Sequence, residues 1–141
     1  MIRKKILVVD DDQVIVTSLS MKLKAEGFEV VVAAEPSEAV AVARKETPDI
    51  IILDINFPPD VASGGLVPWD GFRIMDWLQR VIEGRKIPVI ILTGTDSMQA
   101  RNRALAAGAQ GFFTKPVESE LLLRVIRRVL DEVKPEPAPA R

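Results

Sequence analysis

Three short runs constrain this chain more than anything else in it: "ILVV" at 6–9, "IIIL" at 50–53 and "VIIL" at 89–92. A strand with one wet face alternates apolar and polar residues. These runs do not alternate, so strands built from them need cover on both faces, as in a central parallel sheet. Parallel neighbours are joined by crossovers that usually hold a helix, and the sequence between the runs has helical patterning.

The reading along the chain is regular. Lys5–Val9 is a first strand, followed by a helix over Gln13–Glu26 with Val16, Leu19 and Leu23 on its apolar stripe and Gly27 as its stop. Phe28–Ala33 is a second strand, and Pro36–Glu46 a second helix opened by Pro36 and Ser37 and followed by Pro48. Asp49–Leu53, Pro88–Leu92 and Gln110–Thr114 are strands three to five. Asp70–Ile82, Asp96–Ala107 (closed by Gly108) and Glu118–Val133 are helices three to five, the last with Leu122, Val125, Ile126 and Val129 on one face. Right-handed crossovers turn this alternation into a doubly wound, three-layer α/β domain. The expected sheet is parallel and five-stranded, of flavodoxin-like order 2-1-3-4-5, with its ligand site beyond the carboxyl ends of the strands.

With 141 residues, the chain is long enough for one domain with a substantial core. That domain is expected over 1–133. Lys134–Arg141, "KPEPAPAR", reads as a disordered tail or linker. Phe57–Trp69, "FPPDVASGGLVPW", is a long connection after strand three. A net charge of -1 gives no global pull toward nucleic acid or an anionic membrane. No stretch approaches the roughly 18 apolar residues of a membrane span, and no signal-peptide pattern is present, so a cytoplasmic address is expected. Cys and His are both absent. That excludes disulfides, thiolate chemistry, zinc sites of the usual kind and imidazole bases, and leaves Asp, Glu, Lys, Ser and Thr to carry any chemistry.

The residues just past the strands are the candidates. Strand one runs into Asp10, Asp11 and Asp12, strand three into Asp54, strand four into Thr93, and strand five into Thr114 and Lys115. Crowded carboxylates destabilise one another, and a hard divalent cation relieves them. A carboxylate is also a nucleophile toward phosphorus, and phosphoryl transfer needs mainly positioning and charge neutralisation. Taken singly, each residue has an ordinary reading: Asp12 as a helix N-cap, Thr93 as a turn residue, Lys115 as a solvated lysine. Their arrival in order at four strand ends favours one shared phosphate-handling site.

The stretches "ILVVDDD", "PDIIILDI", "DGF", "PVIILTG" and "AGAQGFFTKPV" together closely resemble the receiver domain of two-component response regulators, over about residues 3–133. The resemblance implies Asp54 as phosphoacceptor, supplied by a histidine kinase or phosphotransfer protein. It implies Mg²⁺ (or Mn²⁺) held by Asp11 directly, by Asp10 mainly through water, by Asp54 and by the backbone carbonyl of Asn56. Thr93 and Lys115 would bind phosphoryl oxygens, with Thr93 also moving in the switch. The Lys115–Pro116 bond would be cis, and Phe112 would turn inward as Thr93 shifts, altering the helix four–strand five–helix five face. That face would meet an output protein or domain, with pairing of two copies through it left open. Arg124, Arg127 and Arg128 on helix five fit either an acidic partner or a solvated face.

The chain departs from the pattern in three places. About nine residues are inserted within 57–69, over the expected site. Phe112 lacks a tyrosine hydroxyl. A small Gly94, before Thr95, favours access of water to a phosphoaspartate. Two rival readings stay in view. "DDDQV" also fits the Asp-x-Asp-x-Val signature of haloacid-dehalogenase-like phosphatases, with Asp10 as nucleophile and Asp12 as general acid. That reading lacks a further acidic motif after Lys115, since Glu118 and Glu120 open a helix. The other rival is a receiver-like docking module that never accepts phosphate.

Overall fold

The computed structural model describes residues 3–55, 71–80, 86–94 and 98–132. Its elements alternate: β1 (Lys5–Val9), α1 (Gln13–Ala25), β2 (Glu29–Ala33), α2 (Pro36–Glu46), β3 (Ile50–Leu53), α3 (Gly71–Arg80), β4 (Val89–Thr93), α4 (Met98–Ala106), β5 (Gly111–Thr114) and α5 (Ser119–Glu132). The strands form one sheet in the order β2-β1-β3-β4-β5, and every pairing is parallel. The doubly wound flavodoxin-like architecture expected from the apolar runs is the one observed. The inserted stretch 57–69, Asn56 and the tail 134–141 lie outside the described residues.

The apolar runs are central for the reason their pattern gave. Every residue of β3 and β4 is buried, because helices cover both faces of the sheet. One face packs Leu7, Val9, Ile51, Leu53 and Ile91 against Ala39 and Ala43 of α2, Ile74 and Leu78 of α3, and Ala104 of α4. The other packs Ile6, Val8, Ile52 and Leu92 against Val16 and Leu23 of α1 and Leu122, Ile126 and Val129 of α5. Successive strand residues feed opposite cores, so a one-residue slip in register would exchange the two. Truncating one such residue, for example Ile52→Ala, would cost about 2–5 kcal/mol through lost burial and a residual cavity.

Small shifts at element ends have local causes. β3 starts at Ile50 because the Asp49 carboxylate accepts from the Lys5 N–H at 2.8 Å, while the Asp49 N–H bonds the Lys5 carbonyl at 2.8 Å. β4 extends one residue further than expected, because Thr93 continues the ladder opposite Thr114. α1 and α4 are followed by Gly27 (φ 93°) and Gly108 (φ 103°), in the left-handed region where a side chain is costly. α2 ends differently, at a left-handed Thr47 (φ 45°), before Pro48. Among the described residues no helix is long and apolar enough to cross a membrane.

Candidate functional site

The backbone places the site residues before any side chain is considered. Asp10 follows β1, and its N–H donates to the Ala33 carbonyl at 3.1 Å. The Asp54 N–H donates to the Val9 carbonyl at 3.0 Å, and the Lys115 N–H to the Thr93 carbonyl at 2.8 Å. Each residue is thus one step past a strand and still tied to its neighbour. That puts all three at the carboxyl edge of the sheet, around the β1/β3 switch point.

The three consecutive aspartates have three different fates. Asp12 caps α1, its Oδ1 accepting from the N–H groups of Val14 at 3.0 Å and Ile15 at 3.4 Å. Asp11 is exposed. Asp10 is buried: its Oδ1 accepts from the Asp12 N–H at 2.9 Å and its Oδ2 from the Lys115 ammonium at 2.6 Å. Lys115 also donates to Asp54 Oδ2 at 2.9 Å, so one ammonium bridges two buried carboxylates from different strands. One carboxylate oxygen from each of Asp10, Asp11 and Asp54 lies within 4.8 Å of the others.

Burial pushes the Asp10 carboxyl above its ordinary value, outweighing the Lys115 and Asp12 N–H hydrogen bonds that pull it down; the nearby Asp54 charge adds to the rise. Burial pulls Lys115 down, but its hydrogen bonds to Asp10 and Asp54 win and hold it above its ordinary value. The ammonium therefore stays charged at neutral pH, while Asp10 ionises at a cost. A donor set of three clustered carboxylates is hard and anionic, and suits a divalent cation that prefers oxygen.

The remaining expected residues divide by position. Thr93 is fully buried at the end of β4. It lies on the same sheet face as Phe112, since Phe112 pairs with Ile91 two residues earlier. Phe112 is itself buried, at 6% exposure, in the core beneath α4. The Lys115–Pro116 bond is cis. Gly94 is exposed, with nothing within 4 Å of the position a Cβ would take. Asn56 and Thr95 lie outside the described residues.

One contact escaped the sequence reading. The Arg101 guanidinium sits 5.0 Å from the centroid of the Phe112 ring. Nothing in the local pattern announces it beyond the spacing of Met98, Arg101 and Leu105, which puts them on one stripe of α4.

Known proteins resemble this chain across both fold and sequence. The model of the response regulator receiver domain matches residues 6–127. Response regulator PleD of Caulobacter vibrioides is 36% identical over 143 residues, covering 97% of this chain and 30% of PleD. Protein PilH of Pseudomonas aeruginosa is 36% identical over 126 residues, covering 89% of this chain and 97% of PilH. The chain thus spans under a third of PleD but nearly all of PilH. Among solved structures, a CheY-like receiver domain protein from Methanospirillum hungatei JF-1 superposes with a TM-score of 0.79 at 31% identity, covering 93% of this chain and 96% of that one. The family match runs from the first strand into the last helix, over the fold and acid cluster described above, and the chain belongs to the response regulator receiver domain family.

Proposed function

We propose that this receiver domain accepts a phosphoryl group on Asp54 from a histidine kinase or a phosphotransfer protein, and passes the event on through its α4–β5–α5 face. The observation that carries this reading is the Lys115 bridge between Asp10 and Asp54, with Asp11 beside it. The cluster joins a nucleophilic carboxylate, a metal-suited acid pair and a fixed cation at one strand edge.

In this reading an Asp54 carboxylate oxygen attacks the phosphorus of a phosphohistidine. The new P–O bond forms as the P–N bond breaks, and the donor imidazole leaves with the bonding pair and is reprotonated. These 141 residues contain no His, so the donor imidazole lies outside them. Lys115 exchanges its hydrogen bond to Asp54 for one to a phosphoryl oxygen, keeping Asp10 as its second partner. The Thr93 hydroxyl donates to another phosphoryl oxygen from the end of β4. Asp11, Asp54 and the Asn56 carbonyl, with Asp10 through water, would hold Mg²⁺ or Mn²⁺, which supplies charge neutralisation at the phosphoryl group. Movement of Thr93 then biases Phe112 and the surface above it.

This makes the chain a cytoplasmic signalling domain rather than an enzyme acting on other substrates. Its partners are the phosphoryl donor, an output protein or domain, and in one version a second copy meeting α4–β5–α5. The receiver reading is favoured over the phosphatase alternative by the role of Asp12, whose Oδ1 caps α1. Intact-mass spectrometry after incubation with acetyl phosphate and Mg²⁺ tests the reading. One added phosphoryl group is expected, lost in Asp54→Asn and with chelator. Labelling retained in Asp54→Asn would redirect attention to Asp10. A folded chain that takes no label beside a working control receiver would be a docking module.

A further inference from the structure

The switch assigned above turns on where the Phe112 ring sits, and the structure contains a device for holding it there. Phe112 is 6% exposed, packed in the core shared with Ala104 of α4 and Ile91 of β4. Its outer cover is the guanidinium of Arg101, 5.0 Å from the ring centroid and within the reach of a cation–π attraction. Arg101 is otherwise exposed, and no carboxylate among the described residues pairs with it.

The helix sequence explains why the guanidinium is available to the ring. The described residues three and four positions from Arg101 along α4 are Met98, Ala104 and Leu105, none of them an acid. Met98 and Leu105 are large apolar side chains at 72% and 49% exposure. A planar, weakly hydrated guanidinium stacks on an aromatic face in such surroundings better than a compact ammonium does.

We propose that Arg101 is a positioning residue for the switch: its guanidinium holds the Phe112 ring in the inward seat and so biases the receiver toward the arrangement that favours phosphoryl transfer to Asp54. The first half rests on the contact itself, and the second on the receiver reading given under Proposed function. Arg101 touches neither the carboxylates nor Lys115. It acts by tilting the Phe112 equilibrium, and through Phe112 the space available to Thr93 on the same face of the sheet.

The test uses the full chain carrying fluorinated phenylalanine, with the Phe112 signal assigned by its loss in Phe112→Leu. Arg101→Met keeps the apolar stem and removes the charge; Arg101→Lys keeps a charge and removes the plane. Without any phosphoryl donor, Arg101→Met is expected to raise the solvent-exposed population of the Phe112 ring about 2- to 5-fold, the range that a surface cation–π contact supports. Arg101→Lys is expected to restore part of the difference, and the thermal midpoint to stay put. With acetyl phosphate and Mg²⁺, Arg101→Met is expected to slow labelling of Asp54 by a similar factor. A Phe112 signal identical in all three proteins overturns the proposal. So does a Phe112 change that tracks a falling midpoint equally in both variants, which is what a merely structural role would give. If the ring moves as expected but the wild-type chain takes no phosphoryl group, the positioning contact stands and the receiver chemistry falls.

Discussion

At the amino end of β1, Lys5 donates to Glu46 Oε1 at 3.0 Å, with Glu29 at 4.0 Å. Past the carboxyl end of β5, Lys115 donates to Asp10 at 2.6 Å and Asp54 at 2.9 Å. The two clusters use the same chemistry: one ammonium among carboxylates at a sheet edge. They differ in their acids. Those around Lys5 are 56% and 31% exposed, whereas those around Lys115 are 4% and 7% exposed. Water screens the first cluster and leaves little net stabilisation. The second is held where charge is costly and attraction strong: burial pushes the Asp10 carboxyl up, hydrogen bonds to both carboxylates hold Lys115 up, and the cluster is poised to exchange partners. The location follows from the fold, because strand order brings three strand ends together on the carboxyl side.

The largest expected contrast is chemical. Asp54→Asn should abolish labelling by acetyl phosphate, and Glu46→Gln should leave it unchanged, both read by intact mass. Loss of labelling in Glu46→Gln would mean that the two ends are not independent.

The next contrast is one of stability. Lys115→Ala leaves two buried carboxylates without their shared cation. It should cost about 2–3 kcal/mol in urea unfolding at neutral pH, below the full penalty for an enclosed pair because Lys115 keeps 17% exposure. Mg²⁺ should return much of that loss. Lys5→Ala should cost distinctly less and gain nothing from Mg²⁺; equal costs would erase the distinction drawn from burial.

Asp10 sharpens the comparison through its sign. Its folded proton affinity is raised, so the folded chain binds that proton more tightly than the unfolded chain does. Ionising Asp10 therefore removes stability as pH climbs from its unfolded value near 3.8 through the raised folded value. Asp10→Asn should raise the thermal midpoint at pH 7 without divalent cation, by an amount that shrinks toward pH 4. The same variant should bind Mg²⁺ more weakly in a titration. A lower midpoint at pH 7 would show that the Lys115 hydrogen bond outweighs the burial.

The smallest effect belongs to Lys5. Its hydrogen bond to Glu46 raises its proton affinity against the opposing effect of burial, with Glu29 and Asp49 adding to the rise. That contribution is complete below the unfolded value of 10.5 and is lost as pH rises through the folded value above it. Half-molar salt should remove most of the difference between wild type and Lys5→Met while sparing the Lys115 difference. A salt-resistant Lys5 effect would show that its cluster is better shielded than its exposure indicates.

Much of this was legible in the linear sequence. The unalternating runs around Ile51 and Ile90 called for strands covered on both faces, and Gly27 and Gly108 marked helix ends through the backbone geometry they permit. The order of acids, Thr93 and Lys115 at successive strand ends pointed to one site. Other features were not legible, because they depend on directions and distances that residue types do not encode. "DDD" does not say which aspartate caps α1, which meets solvent and which is buried against Lys115; the turn after β1 decides that, by aiming each side chain differently. Nor does "QARNR" say which arginine covers Phe112, since the helical angle of Arg101 and the register of β5 set that contact together.

By itself, then, the sequence determined what local patterning can carry: the alternation of strand and helix, a doubly buried parallel sheet, and a set of hard, anionic candidates with one cation. Tertiary structure alone decided their energetics. The ammonium of Lys115 and the carboxylates of Asp10 and Asp54 are 105 and 61 residues apart in the chain, and strand order brings them within hydrogen-bond distance. Burial beneath the packed helical layers pushes the Asp10 carboxyl up, and hydrogen bonds to both carboxylates hold Lys115 up against that burial, a property of the assembled fold rather than of any one segment.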